Sequence, residues 1–535
     1  MIATLVLYVV LLIPAELLAA TYYIDDAGSD AAAGTSTSTP WLTWAHAFTN
    51  SACGDTLTVM DGTYTVATHG APTLTKVCTA GTVYTVVAQN ERQALVVGTG
   101  AAAVFQVLNS AYVSIYGLRL KEVDLNGGTN HGVLLINTST HVTAQRMLIY
   151  ENNRYLNSHL VHVRFSTYSL LEDFELYTFH RHGIIVENYG VTEAESSGYN
   201  TIRRIYCNGR GRADIAGGFV SGGVGGDLCV ALYPSSDNVV ENVVAESVVT
   251  ILSTEPLSGP ADRNQILGSI ALGTRTYGVN SYYGVTTRAR GTIDYYQSKH
   301  NVIKDMIAIN LGDTTLGGGV GIDSKSAFDT QVTNATVINP LNTGISASKD
   351  GSPDFTGGGV YSFYCTNCLV TDADSPGTGF GISSEVQTWT LNYVHAYNNV
   401  LNYNPANTDA NITNEYTPLN TNPALGTCRA WIPDASPMKG AGLNGADIGA
   451  NILYRYENAV LTNTPLWDVT TGAFPCGATV AGVNDTAGNS CNNVHERLNI
   501  NMNGCLFPSG YGQQGGGGGG GTGALGRGAK GLGLF

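Results

Sequence analysis

The chain has 535 residues, of which 66 are glycine and 29 are tyrosine, and only 13% are charged. Its formal net charge of −15 at pH 7 excludes the basic surface that a nucleic-acid partner requires. Such acidity is typical of a soluble protein and is also compatible with affinity for cations or neutral glycans. Short runs rich in Val, Ile, Thr and Tyr, broken by Gly, Asn, Asp and Ser, predict an all-β chain.

Residues 1–20 form an apolar stretch that ends in small residues, just before the polar segment that begins at Thr21. This pattern indicates a secretory signal peptide cut near Ala20, although a basic n-region is missing. A retained membrane anchor is the alternative, but the apolar run is short for a bilayer span. We therefore expect a secreted, extracellular protein (or a periplasmic or cell-surface one) with no membrane span after cleavage.

The ten cysteines, an even number, fit an oxidising compartment. Proximity along the chain favours the pairs Cys53–Cys78, Cys207–Cys229 and Cys491–Cys505, although spacing alone does not fix the connectivity. Cys365 and Cys368 have the spacing of a zinc knuckle without a second pair nearby, so a local disulfide or two free thiols are expected there instead.

The segment from Tyr22 to Tyr64 carries three recognisable pieces: Tyr22-Tyr-Ile-Asp-Asp, Pro40-Trp-Leu-Thr-Trp and Cys53-Gly-Asp-Thr-Leu-Thr-Val-Met-Asp-Gly-Thr-Tyr64. Their order resembles the start of secreted pectate-lyase-like proteins, most closely their chondroitinase B and alginate lyase relatives. The resemblance implies a right-handed parallel β-helix with a short helix that caps the first coil. Ser436-Pro-Met-Lys-Gly-Ala-Gly and Gly445–Ala450 resemble the way such chains close.

An internal repeat fills the interval between these segments. Clear copies are Asn238-Val-Val-Glu-Asn-Val-Val-Ala, Asn264-Gln-Ile-Leu-Gly-Ser-Ile-Ala and Asn301-Val-Ile-Lys-Asp-Met-Ile-Ala, and fainter ones begin at Tyr112, His141, Ser169, Asn200, Thr330 and Phe363. Copies start every 26–38 residues, a period that predicts a solenoid, here of about 10–12 coils. Stacking would align the leading asparagines in a structural ladder at one corner.

The chain is thus predicted to divide into four parts: a signal peptide (1–20), a parallel β-helix domain (21–450), an irregular C-terminal capping region (451–511) and a disordered tail (512–535). The capping region loses the period, and a solenoid needs its open end covered. The tail contains seven consecutive glycines, Gly515–Gly521, and has no means of forming a core.

Basic residues and histidines occur at similar distances, about 10–14 residues, after the starts of three successive repeats. Because equivalent positions of stacked coils are neighbours, these residues are predicted to lie near one another. The set is Arg154, His180, Arg181, His182, Arg210 and Arg212, accompanied by Glu151 and Asp214. One interpretation is a groove that binds an acidic sugar, since arginine binds carboxylates bidentately and histidine accepts protons near neutral pH. His182 and Arg212 are then candidate catalytic residues and the other basic side chains bind substrate. The alternative is a solvated corner held by ion pairs.

A second candidate cluster precedes two repeat starts. Asp294 lies seven residues before Asn301, and Asp323 lies seven residues before Thr330. If the coils stack in register, the two carboxylates are neighbours and could share a hard cation such as Ca²⁺, the one cofactor that the sequence suggests. Arg290 lies in the coil of Asp294 and is a candidate substrate ligand, and Lys325 is the candidate catalytic base.

The sequence is compatible with three functions. A polysaccharide lyase would neutralise a uronate carboxylate and remove the C5 proton, and it is the favoured hypothesis. A glycoside hydrolase would use Asp294 and Asp323 as its acid and base. A non-catalytic glycan-binding adhesin, a phage tail-spike-like protein or an extracellular structural β-helix is the third. The Gly-His-Gly and Arg-Ile-Lys motifs of polygalacturonase-type hydrolases and the Trp-Ile-Asp-His motif of pectate lyases are absent.

Overall fold

The computed structural model of the chain is a right-handed parallel β-helix in which two parallel sheets stack coil upon coil. The structure describes residues 19–99, 102–122, 132–151, 159–177, 179, 182–188, 197–208, 228–245, 248–253, 260–273, 283–289, 298–312, 318–325, 327–348, 362–374, 379–384, 388–403, 412–414, 421–426 and 430–466. The fold class expected from the repeat is confirmed.

The larger sheet, sheet I, has 21 strands. Numbered in chain order, they are β1 (Thr21–Ile24), β2 (Thr56–Val59), β3 (Gly62–Thr65), β5 (Tyr84–Ala88), β6 (Ala94–Val97), β8 (Ala111–Tyr116), β9 (Arg119–Glu122), β11 (Thr140–Gln145), β12 (Leu148–Glu151), β14 (Leu170–Tyr177), β16 (Thr201–Asn208), β18 (Val239–Glu241), β19 (Val244–Ala245), β21 (Gln265–Leu267), β22 (Ile270–Leu272), β24 (Val302–Ile309), β26 (Thr330–Ile338), β28 (Ser362–Thr371), β30 (Thr388–Asn392), β31 (His395–Tyr397) and β33 (Ile412–Asn414). The sequence repeat corresponds to these strands.

The smaller sheet, sheet II, has 12 strands, about one for each coil. They are β4 (Thr73–Leu74), β7 (Phe105–Leu108), β10 (Gly132–Asn137), β13 (His159–Arg164), β15 (His182–Glu187), β17 (Leu228–Tyr233), β20 (Val248–Ser253), β23 (Tyr283–Ala289), β25 (Val320–Lys325), β27 (Thr343–Ser348), β29 (Phe380–Ser384) and β32 (Leu401–Tyr403). No helix among the described residues is long and apolar enough to cross a bilayer.

The core lies between the two sheets and is built from positions that align in register. In sheet II, Leu134, Val161, Ile184 and Val230 stack on one another and are fully buried. Each such side chain stabilises the fold by about 1.5–3 kcal/mol relative to its exposed state. Gly344 precedes this position in β27, and a Cβ atom there would lie 2.1 Å from Cγ1 of Val370, so the two sheets approach too closely for a side chain.

A short helix, α1 (Trp44–Asn50), closes the N-terminal end, as the resemblance implied. The hydroxyl of Thr43 caps it by accepting a hydrogen bond from the backbone N–H of His46. Trp44 is fully buried and its ring contacts those of Tyr64 and Phe105. A second helix, α2 (Val66–His69), has a single turn.

The asparagine ladder predicted from the repeat is present. The side-chain carbonyl of Asn238 accepts a hydrogen bond from the backbone N–H of Asn200 at 3.0 Å, and those of Asn264 and Asn301 repeat the pattern one coil further along. These side chains are at most 1% exposed. The ladder therefore satisfies backbone groups inside the corner, and its role is structural.

Two predicted disulfides, Cys53–Cys78 and Cys207–Cys229, are formed. Cys207 lies in β16 and Cys229 in β17, so this bond joins the two sheets of neighbouring coils. Cys365 and Cys368 form a third disulfide within β28. Cys491 and Cys505 lie outside the described residues, and that pair remains a prediction.

Residues 430–466 form a segment, the strap, that lies along the outer face of sheet I. They include a 3₁₀ turn (Leu443–Gly445) and an antiparallel hairpin of β34 (Tyr454–Glu457) and β35 (Val460–Pro465). Leu443 donates its backbone N–H to Asn367, and Tyr456 donates its own to Asn242. The described part of the predicted capping region, 451–466, thus lies on the side of the solenoid, whereas 467–511 fall outside the described residues.

Sheet I is creased beneath the strap. The residues at the crease, among them Asp173, Arg204, Asn242 and Asp305, have left-handed backbone with φ between 50° and 59°. A left-handed residue in the middle of a strand turns the following residues to a new direction, and asparagine and aspartate tolerate this best among residues with side chains. The crease points polar side chains outward in a line, and the strap binds along that line.

Candidate functional site

One register position of sheet II forms a line of mostly polar residues that runs parallel to the solenoid axis. Successive strands place one residue each at the same register position. This outer row consists of Asn137, Arg164, Glu187, Tyr233, Leu252, Arg288, Lys325 and Ser348. Adjacent members are separated by about 4.8 Å, the spacing of neighbouring strands.

The basic residues of sheet II are concentrated in this row. Within its 12 described strands, the Lys and Arg residues are Arg164, Arg288 and Lys325, and all three are outer-row members. The acidic residues of the same strands are Glu187, in the row, and Asp323, two residues before Lys325. The residues that directly precede Arg164, Glu187 and Lys325 are buried, and because successive side chains of a strand point to opposite faces, these three side chains face outward.

At its N-terminal end the row carries a histidine–carboxylate pair. His162 Nε2 lies 2.7 Å from Oε1 of Glu187, and Arg164 Nε lies 4.0 Å from the same oxygen. The side chain of His162 is 2% exposed, that of Glu187 15% and that of Arg164 41%. The buried imidazole of His162 therefore holds the Glu187 carboxylate in place, and the guanidinium of Arg164 is the most exposed of the three groups.

Two further histidines lie behind this pair. His159 and His182 stack with ring centroids 4.6 Å apart, and their Nδ1 atoms are 2.9 Å apart. Such a hydrogen bond needs one donor and one acceptor, so the two imidazoles cannot both be protonated at Nδ1. His182 is 0% exposed, and its ring also meets that of Tyr233 at right angles. The structure thus gives this predicted catalytic residue a fully buried position, at the opposite end of β15 from Glu187.

The C-terminal end of the row contains the candidate base. Lys325 is partly exposed, and Arg288 occupies the position opposite it on the preceding strand. Asp323 is 4% exposed, and its register partners are Thr286 on one side and Ser346 on the other. From Glu187 to Lys325 there are four strand spacings, or roughly 19 Å. His182 lies on the same strand as Glu187, so it is also four strand spacings away from Lys325.

The remaining predicted site residues lie outside the described residues. They are Arg154, His180, Arg181, Arg210, Arg212, Arg290 and Asp294. The adjacency of Asp294 to Asp323, and with it the Ca²⁺ site, remains a prediction. Across the described ranges, no group of three or more His, Cys, Asp or Glu residues has an arrangement that could hold a metal ion.

The sequence reasoning missed Arg164, His162 and Glu187. The repeat aligns the strands of sheet I, whereas these residues lie in sheet II, whose register follows a different spacing. The alternation in His159-Leu-Val-His-Val-Arg164 and His182-Gly-Ile-Ile-Val-Glu187 was the available signal, because aligning these two strands pairs Arg164 with Glu187.

No family model and no curated protein sequence matches the chain. Among solved structures it is similar to pectate lyase Pel9A, with 14% identity, a TM-score of 0.43, and coverage of 81% of this chain and 96% of that one. It is also similar to the catalytic domain of a GH87 α-1,3-glucanase (14%, TM-score 0.45, 68% of this chain and 63% of that one). A PL6 family polysaccharide lyase from Pseudopedobacter saltans is similar at 11% identity and a TM-score of 0.42, covering 70% of this chain and 96% of that one.

At these identities the likeness concerns the path of the chain alone. The fold is established by the two parallel sheets, whose strands stack from coil to coil. The right-handed parallel β-helix implied by the resemblance to pectate-lyase-like proteins is the fold of this chain.

Proposed function

We propose that the protein is a secreted, carbohydrate-active enzyme that cleaves an acidic polysaccharide by β-elimination on the outer face of sheet II. The observation that carries the proposal is the outer row, in which the three basic residues of the sheet share one line along the solenoid axis. Two of them occupy adjacent strands. A glycan extended along the axis would bring a uronate carboxylate to the position of Arg288 and its C5 proton to Lys325.

The chemistry assigns separate roles to the pair. A cation at the position of Arg288 stabilises the charge that builds up on the uronate carboxylate as C5 loses its proton. Lys325, in its neutral form, accepts that proton. The C4–O bond then breaks, a double bond forms between C4 and C5, and the departing oxygen takes a proton from solvent. His182 and the basic residues outside the described ranges are not needed for this step.

The distribution of carboxylates disfavours hydrolysis on this face. A glycoside hydrolase needs two carboxyl groups about 5–9.5 Å apart. In the described strands of sheet II the two carboxylates are Glu187 and Asp323, which are separated by roughly 19 Å. A hydrolase that pairs Asp294 with Asp323 is a separate hypothesis, since Asp294 lies outside the described residues.

Incubation with alginate, chondroitin and pectate tests the proposal, because only elimination creates a product that absorbs in the ultraviolet. We expect one of these polymers to yield that product, and Lys325→Met to abolish it. Lys304→Met is the matched control, since Lys304 is a partly exposed lysine of β24, in a neighbouring coil but on sheet I. Repeating the assay with a chelator tests the Ca²⁺ hypothesis.

The non-catalytic alternative predicts a different pattern. A glycan-binding adhesin or structural β-helix would bind acidic glycans on an array, and Lys325→Met would weaken that binding without any product being formed by the wild type. Binding without ultraviolet absorbance on all uronate polymers would contradict the lyase proposal and favour this alternative.

A further inference from the structure

Four aromatic side chains form a stacked column at the corner where the chain enters sheet I. The ring centroids of Tyr112 and His141 are 4.4 Å apart, and those of His141 and Tyr168 are 5.2 Å apart. Tyr199 follows, with its centroid 5.1 Å from that of Tyr168. Neighbouring rings are inclined by only 12–20°. This aromatic column therefore takes one residue from each of four successive coils.

The backbone keeps the column in register. Its four residues have left-handed backbone, with φ between 54° and 57°, a conformation that bulky side chains rarely adopt. The backbone N–H of Tyr168 donates to the carbonyl of Gly198 in the next coil at 3.3 Å. At the equivalent positions of the two following coils stand Asp237 and Arg263, which form an ion pair at 2.6 Å. The aromatic column thus ends at Tyr199, where charged residues replace it.

Tyr168 and Tyr199 are the two tyrosines of the column that contact each other, since His141 separates Tyr112 from them. They are 53% and 52% exposed, and their rings are inclined by 12°. Another contacting pair in the described ranges, Tyr177 and Tyr206, is at most 1% exposed and its rings are inclined by 57°. A reagent in solution can therefore reach both phenols of the first pair and neither phenol of the second.

Two exposed phenols stacked in this way are arranged for oxidative coupling. A haem peroxidase acting with hydrogen peroxide removes one electron from each phenol, and each phenol releases its hydroxyl proton. The two phenoxyl radicals combine through a carbon atom ortho to each oxygen, and the hydrogens on these carbons leave as both hydroxyls are restored. The net change is one new C–C bond, the loss of two hydrogen atoms from the protein and the reduction of one peroxide to two waters.

We propose that Tyr168 and Tyr199 are a modification site, at which peroxidase-type oxidation joins two neighbouring coils through a dityrosine bond. Proximity selects the partner, because corresponding atoms of the two rings lie about 4.8 Å apart and half-exposed side chains can rotate to close that gap. The three disulfides fit an oxidising compartment, where such an oxidant can reach the protein. The bond would restrict the unfolded chain and stabilise the fold, as a disulfide does.

The test treats the full chain, in dilute solution, with a haem peroxidase and hydrogen peroxide, and follows dityrosine fluorescence and the masses of the proteolytic peptides. We expect the monomer to lose two hydrogen atoms and the peptides that carry Tyr168 and Tyr199 to be joined. Tyr168→Phe and Tyr199→Phe should each lower the fluorescence by about tenfold or more. Tyr364→Phe is the matched control, since Tyr364 is 37% exposed but has Gln331 and Thr390 as its register partners.

A second control separates the pair from the rest of the aromatic column. Tyr112→Phe keeps a ring against His141 and leaves the tyrosine pair unchanged, so its fluorescence should equal that of the wild type. Undiminished fluorescence in Tyr168→Phe, cross-links that chiefly join separate molecules, or oxidation of the two tyrosines without coupling overturns the proposal. The same applies if Tyr112→Phe lowers the yield as much as Tyr168→Phe does.

Discussion

The outer faces of sheet I and sheet II belong to the same coils but differ in how their charged residues are arranged. On sheet I, the crease is covered by the strap, and its charged groups bind one another. On sheet II, the charged groups stand in one row, and at the Lys325 end two basic positions are adjacent. The difference shows that the strap binds to sheet I, whereas the site proposed above lies on sheet II.

The charges of the sheet I face form a buried network. Arg204 is paired with Glu172, with Asp173 at 2.7 Å and with Glu457 of the strap at 3.4 Å. Its side chain is 6% exposed, and burial lowers its pKa to about 10. Glu241, fully buried, accepts a hydrogen bond from the backbone N–H of Ala459 in the strap. These groups bind partners within the chain, several of which belong to the strap.

The largest expected difference between the two faces is in the effect of a substitution on activity. Lys325→Met should reduce kcat/KM by about 10²–10⁴-fold, the range expected for removing a general base, while leaving the melting temperature unchanged. Steady-state kinetics and thermal unfolding of the same preparation measure both. An equal loss in Lys304→Met would show that the two faces are not functionally distinct.

The next largest effect is on stability, and it comes from the other face. Arg204→Met leaves Asp173 and Glu172 without this arginine in a buried setting, which should reduce the free energy of unfolding by about 3–5 kcal/mol. Denaturant unfolding measures it. Activity per folded molecule should be retained, and a selective loss of activity in a stably folded variant would break the comparison.

A smaller stability effect is expected where the strap meets the crease. The hydroxyl of Tyr456 donates to the carboxyl of Asp305, which is 4% exposed. Tyr456→Phe removes that donor while keeping the ring, and should destabilise the protein by about 1–3 kcal/mol. Val460→Ala, in the same hairpin but 63% exposed, is the control and should have little effect.

The smallest effect is a pH dependence. Burial raises the pKa of Asp173 from 3.8 to about 6, outweighing the opposing influence of Arg455 and Arg146. A carboxyl with a raised pKa in the folded state stabilises the protein fully below pH 4, and this contribution is lost as the pH rises through about 6. Melting temperatures between pH 4 and 7 should therefore fall more steeply for the wild type than for Asp173→Asn. Parallel curves would contradict the expectation.

The parts of the fold that repeat were predictable from the sequence. Asn238, Asn264 and Asn301 each begin a strand region of sheet I, and their spacing was enough to place them in one ladder. The disulfides Cys53–Cys78 and Cys207–Cys229 followed from proximity, because their partners lie 25 and 22 residues apart.

The outer row was not predictable in the same way. The two coils that pair Leu170 with Thr201 in sheet I, 31 residues apart, pair His159 with His182 in sheet II, 23 residues apart. The connections between the two sheets vary in length, so the sequence spacing of paired residues in sheet II differs from the spacing in sheet I. Counting from the repeat, which follows sheet I, therefore does not show that Glu187 lies opposite Arg164. The strap contains no sequence repeat. Its contact between Arg204 and Glu457 joins residues 253 positions apart, so no local pattern predicts it.

The strap also has a consequence for how the chain folds. Tyr456 bonds to Asn242 and Asp305 across 214 and 151 residues, whereas each coil pairs with the next across a few tens of residues. Contacts between sequence-distant segments close late, because the loop entropy must be overcome first. As the polypeptide emerges from its N-terminus, the coils can stack one after another, and the crease with its buried acids stays open to water until residues 430–466 arrive. We therefore expect the strap to bind after the coils that it contacts have stacked.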